Sequence, residues 1–175
     1  MTTETAGSPA PNVIVRERAG APTRGTMTIV TERLRVQAPT SPGLVDITES
    51  VIDSVTASTI AQGQLTVFCR HTTAAVVVNE DEPLLHLDIA DFLERIASSQ
   101  ADYRHDNFEI RTENLVADHG RNAHAHLKTL VLGASLVLPV VDGSVALGEW
   151  QRIFMLEMDK PKPRVLLLQI SGVAP

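Results

Sequence analysis

Aromatic residues are scarce in this chain: one Trp, one Tyr and four Phe make up 3% of its 175 residues. That excludes a stacking platform for single-stranded nucleic acid, which needs aromatic faces. Positive charge is scarce too, with 15 Lys and Arg against 21 Asp and Glu and a formal net charge of −6. A nucleic-acid-binding face is normally basic, so no nucleic acid is expected as a partner, although a local basic pocket for a small anion stays open. The single cysteine, Cys69, rules out an internal disulfide. It reads as a small buried hydrophobe in a reducing compartment. No apolar run reaches the roughly 18 residues of a membrane span. The N-terminus shows neither the basic start nor the apolar stretch of a secretory signal. The expectation is no membrane partner and a cytoplasmic location.

What is present is an apolar fraction of 43%, enough for a core in a chain of this length. Residues 1–24 are rich in Thr, Ala, Gly and Pro without apolar period, which predicts a disordered tail. Residues 25–175 then read as one domain. Branched residues predict strands over 26–37, 64–70, 74–79, 153–158 and 165–170. A hairpin is predicted from Leu136–Val141 and Val145–Trp150 around Asp142-Gly143. Helical spacing of Val51, Ile52 and Val55 behind a Thr48 N-cap predicts one helix. Leu85, Ile89, Phe92, Leu93 and Ile96 behind Pro83 predict a second. A short third helix should run from Ala123 to Leu132 and stop at Gly133. The fold class is therefore α+β, with mixed or antiparallel sheets, two longer helices and one short one.

All six histidines lie between His71 and His126. Imidazole is the commonest metal ligand and titrates near neutrality, so a fold that gathers these rings would make a metal or acid–base site. His71 closes a predicted strand and is followed by Thr72 and Thr73. Asn79 and Glu80 close the next. His105-Asp106 lies in the polar stretch 98–121, a length without structure that usually signals function. A carboxylate beside an imidazole can orient it. His124 and His126 fall on opposite sides of a helix, so one should face the site, and His126 is favoured by its apolar neighbours. His86 and His119 read as ordinary exposed residues. Trp150 can pack in a core or wall a pocket. Gln151 adds an amide beside it, and Arg152, Arg104 and Lys128 add charge suited to phosphate or carboxylate.

Taken in order, His71-Thr72-Thr73-Ala74, Asn79-Glu80, Tyr103-Arg104-His105-Asp106, Asn122-Ala123-His124-Ala125-His126, Leu132-Gly133, Leu138-Pro139-Val140, Asp142-Gly143 and Gly148-Glu149-Trp150-Gln151 form a pattern. With it the chain resembles the YjbQ-like family, whose members are described as secondary thiamine-phosphate synthases. The resemblance implies a YjbQ-like fold from about residue 26 onward, a homotrimer and a site near a subunit boundary. It implies the joining of a pyrimidine methyl diphosphate to a thiazole phosphate, with release of diphosphate. On that reading His71, Glu80, Asp106 and Gln151 are catalytic. Thr72, Thr73, Asn79, Arg104, Lys128, Trp150 and Arg152 hold a small phosphorylated metabolite. His71, His105 and His126 bind a divalent metal, with zinc or another transition ion suiting imidazole and magnesium the alternative. Two other readings are a metal-assisted hydrolase of a phosphorylated metabolite and a non-catalytic trimeric binder of metal or small molecule. Glu149 stands where the family often has a smaller or neutral residue, and its charge would oppose a second phosphate there.

Overall fold

The computed structural model describes residues 23–115 and 120–174. The expected tail therefore lies outside the described residues, save for Thr23 and Arg24, and so does His119.

Along the chain run β1 (Met27–Gln37), β2 (Gly43–Asp46), α1 (Thr48–Ser58), β3 (Gln62–Cys69), β4 (Ala74–Asn79) and α2 (Pro83–Ile96). A 3-10 turn at Arg104–Asp106 follows. Then come α3 (Ala123–Leu132), β5 (Ser135–Val141), β6 (Ser144–Val145), β7 (Arg152–Glu157) and β8 (Pro163–Val173). One sheet has the order β1-β8-β3-β5-β6 and the other β2-β7-β4. All the pairings are antiparallel. The α+β class holds, with antiparallel sheets and three α-helices among the described residues.

Alternation along the strands explains the layering. Leu65 and Val67 of β3 and Leu166, Leu168 and Ile170 of β8 point to one face. There they meet Val76 of β4, Ile153 and Met155 of β7, and Val51 and Val55 of α1. Strand β7 is buried on both faces: Phe154 and Leu156 pack under Leu93 of α2. Ala75 of β4 meets Ala125 of α3 and Met158 beside it. The result is a five-stranded sheet, a three-stranded sheet and a helical cover over the latter. Each fully buried Leu, Ile or Phe contributes about 1.5–3 kcal/mol.

Local chemistry sets the ends of the elements. The Glu82 carboxylate accepts the Leu84 and Leu85 amides at 2.9 and 2.7 Å, with Pro83 opening α2. Those bonds hold the Glu82 carboxyl below its usual range. Asp142 and Gly143 both take positive φ, 49° and 80°, as a two-residue hairpin turn requires. Gly63 and Gly172 face each other across β3 and β8, where a Cβ on Gly172 would lie 2.2 Å from the Gln62 carbonyl oxygen.

Several expectations are corrected. Thr48 is not the N-cap of α1: its amide donates to Asp46 Oδ1 at 2.8 Å, and its hydroxyl accepts the Ile153 amide at 2.8 Å. Strand β2 falls where only a break was expected, because pairing with β7 overrides a short run beside proline. Strands β3 and β4 do not pair with each other but enter different sheets. The second hairpin strand stops at Val145, and Gly148–Gln151 is a separate turn. The apolar strand Val165–Leu168 needs no second subunit to cover it, since β1 and β3 flank β8 and Leu166 and Leu168 are in the core. No helix among the described residues is long and apolar enough to cross a membrane.

Candidate functional site

The register of the three-stranded sheet separates the expected site into two ends. Ala74 lies opposite Glu157, and Asn79 lies opposite Arg152. Five strand residues at about 3.4 Å each put roughly 17 Å between those ends. His71, Thr72 and Thr73 enter β4 at the Glu157 end, whereas Asn79, Glu80, Trp150, Gln151 and Arg152 gather at the other.

At the near end a buried ion pair anchors the histidine turn. Arg164 donates to the Glu157 carboxylate through Nε and through Nη2, the latter at 2.6 Å. Its Nη2 also donates to the Thr73 hydroxyl at 3.0 Å. The neighbouring Val165 amide donates to His71 Nε2 at 3.0 Å, so that nitrogen carries a lone pair. Burial, reinforced by the Arg164 charge, holds the His71 ring below the usual imidazole range.

Across from this turn stands α3. Asp106 Oδ1 accepts the Asn122 and Ala123 amides at 3.0 and 3.1 Å. The carboxylate thus supplies two of the acceptors that a helix start lacks. It tethers the irregular segment to the helix rather than orienting His105. His105 and His126 consequently meet edge to face, their ring centroids 4.8 Å apart. Burial lowers the His126 pKa, and His105 and Arg111 add to this, while Asp159 opposes it. The ring therefore stays neutral at pH 7.

These groups wall a cleft of about 440 Å³, shared by Thr72, Thr73, His105, Asn122, His126, the Asp159 carboxylate and the cations Arg111 and Lys162. Arg111 donates to the carbonyls of His105, Glu113 and Asn114 at 3.2–3.3 Å. Carbonyls fix the guanidinium fork without neutralising it. Lys162 is paired with Asp159 at 2.8 Å. Two polar atoms in this wall, His105 Nε2 and Asn122 Oδ1, are buried with no hydrogen-bond partner among the described residues. Such groups are costly unless something pairs with them.

Other expected site residues are engaged elsewhere. The buried Lys128 ammonium lies 3.2 Å from Glu94 Oε2 and 3.5 Å from His124 Nδ1. Burial would raise the Glu94 carboxyl, but bonds from Ser98, Ser99 and Lys128 outweigh it and hold the group down to about 2. His124 faces this pair, and His126 faces the cleft. Arg104 lines a separate cleft with Asp102 and Phe108. Arg152 is bound by Asp46 at 2.8 Å and Glu49 at 3.0 Å, which answers its charge inside the chain. Burial alone would raise the Asp46 carboxyl, yet its bonds to Thr48 and Arg152 bring it below its usual value. The Gln151 amide oxygen closes its own turn onto the Gly148 amide at 2.8 Å. Trp150 is 68% exposed, so in one chain it is neither core nor pocket wall. Glu80 and Asn79 are exposed at the sheet end. His86, expected to be exposed, is half-buried, edge-on to Phe154 and 3.2 Å from Asp81.

The expected metal ligands do not fit a zinc, other transition-metal or magnesium ion. His71 Nε2 already accepts an amide, and no three His, Cys, Asp or Glu among the described residues are grouped to hold a metal. Sequence reasoning missed Arg111, Asn122, Asp159, Lys162, Glu157 and Arg164. For the last two a signal existed: opposite charges set in or beside apolar strands must pair if both are buried.

A family profile described as UPF0047 protein YjbQ-like matches residues 32–173. The chain belongs to the YjbQ-like (UPF0047) family. A UPF0047 protein of Methanothermobacter thermautotrophicus is 35% identical over 146 residues, covering 83% of this chain and 94% of that one. One from Archaeoglobus fulgidus is 38% identical over 126 residues, covering 72% and 89%. The crystal structure of a YjbQ-like protein of unknown function from Sulfolobus solfataricus superposes with a TM-score of 0.76. It is 33% identical and covers 85% of this chain and all of that one. These YjbQ-like relatives overturn the expected activity. They are described as UPF0047 proteins or as of unknown function, and nothing in those descriptions supports thiamine-phosphate synthesis. Of the residues expected to hold the phosphorylated metabolite, Asn79 and Arg152 stand at the opposite end of the sheet from Thr72 and Thr73. The metal-assisted hydrolase and the metal-binding form of the trimeric binder lose their ligand set too, since no three such residues are grouped among the described ones.

Proposed function

We propose that the cleft between the His71–Thr73 turn and α3 binds a small phosphorylated metabolite and exchanges protons with it through the His105–His126 pair. The carrying observation is the unpartnered His105 Nε2 and Asn122 Oδ1 in a wall that also presents Arg111. The anion itself would accept from Arg111 and an Nε2–H of His105, and a donor elsewhere on the metabolite would answer Asn122 Oδ1. A guanidinium fork suits phosphate because it offers paired donors. A neutral imidazole at pH 7 suits a general base.

Isothermal titration with inorganic sulfate, which stays dianionic across the pH range, tests this reading. Sulfate should bind at pH 7, and Arg111→Ala should weaken it about tenfold or more, the loss of one charge-assisted contact. His126 titrates below 6.5, and its ring gains charge as pH falls through its lowered pKa. Affinity should therefore rise on acidification below 6.5, and less steeply in His126→Asn. An Arg111→Ala protein with unchanged affinity, or a wild type that ignores sulfate, would end the proposal.

We also propose that the chain self-associates as a homotrimer. Exposed apolar side chains on α2, Leu84 at 69% and Leu87 at 64%, support this. Sedimentation at micromolar concentration should give three times the chain mass, and a stable monomer refutes it.

A further inference from the structure

Thr72 and His126 are walls of two clefts, not one. On the far side of His126 from Arg111 lies a second space of about 490 Å³. Besides Thr72 and His126, its walls are Phe68 and Cys69 of β3, Leu130 and Ala134 on the α3 side, and the polar Arg70 and His71. Volumes of about 300–1,000 Å³ are usual for small-molecule sites. The two halves differ in chemistry. The first carries the Arg111 cation, the Lys162–Asp159 ion pair and the unpartnered His105 and Asn122 atoms. The second presents Phe68, Leu130 and Ala134 beside Arg70 and His71, and its large apolar side chains face water, Phe68 42% and Leu130 81% exposed. Apolar surface left in water beside an anion cleft is unfavourable unless a ligand covers it.

We infer that the metabolite is amphiphilic: its phosphate sits against Arg111 in the polar cleft, and an apolar ring or chain passes His126 into the Phe68–Leu130 cleft. This deepens the phosphate reading and rests on it. The His126 ring and the Thr72 side chain stand at the junction, next to the bond that links head to body. A sugar phosphate or a bare inorganic anion would leave the second cleft uncovered, so the site selects for an apolar body.

The test compares inorganic phosphate, phenyl phosphate and phenol by isothermal titration on the full chain at pH 7. Phenyl phosphate should bind at least about tenfold more tightly than phosphate, the effect of covering a ring's apolar surface in part. Leu130→Asp should erase that advantage while leaving phosphate affinity within about twofold. Because Leu130 is so exposed, this variant keeps the core, and Phe68→Ser provides an independent second case. Equal affinity for phosphate and phenyl phosphate in the wild type overturns the amphiphilic ligand and leaves anion binding standing. Failure of both to bind removes both readings. An advantage that survives both substitutions also overturns the inference. So does a Leu130→Asp protein whose sedimentation changes while the affinity ratio does not, since a second copy then covers this face.

Discussion

Glu157→Gln should cost about 3–5 kcal/mol of folding stability, the penalty for leaving a buried charge without its partner. Glu157 is fully buried and Arg164 only 6% exposed. The carboxylate also accepts the Met158 and Asp159 amides at 3.1 and 3.0 Å. Removing its charge strands the guanidinium between two sheets. Urea denaturation of wild type and variant measures the loss. A double substitution, Glu157→Leu with Arg164→Met, should recover much of it, because matched apolar residues of similar size do not leave an uncompensated ion. The double variant should still lose sulfate affinity, since Arg164 also holds the Thr73 hydroxyl. A Glu157→Gln protein within about 1 kcal/mol of wild type would show that this pair does not organise the near end of the sheet.

Gly172→Ala should be the next most damaging change. The added carbon would lie 2.2 Å from the Gln62 carbonyl oxygen and 2.7 Å from the Gly63 Cα. Both obstacles are backbone, so no side chain can swing aside, and β3 must part from β8. Overpacking of this kind costs about 1–3 kcal/mol and more when backbone has to move. Gly143→Ala is the control: its φ of 80° is strained, but open space surrounds it, so the two variants separate crowding from conformation. Thermal unfolding of the pair checks this. Equal melting temperatures for Gly172→Ala and wild type would contradict the close approach of the two strands.

Much of the fold was legible because its signals are local. The stripe Leu85–Ile96 behind Pro83, the Gly133 stop after α3 and the Asp142-Gly143 turn each depend on residues a few positions apart. Strand β2 escaped because four residues beside a proline carry little pattern, and only pairing with β7 makes them a strand. The site was half legible for the same reason. His71, His105 and His126 were found by residue type, and His126 does share a cleft with each of the others. That Asn79 and Trp150 lie far from them follows from β4–β7 register, which no short window contains. Arg111 was invisible because its partners are carbonyls and its cleft is built by α3. Asp106 misled by adjacency, since its carboxylate reaches sixteen and seventeen residues onward to α3 rather than to the ring beside it.

That long reach has an evolutionary side. The imidazole pair is held by Asp106, Arg111 and helix-end amides, none of them members of the buried clusters between the sheets. Drift in these few polar contacts can therefore reshape the cleft of a descendant while the packing between its sheets stays that of the ancestor. A scaffold divided in this way can change trade without first losing its shape.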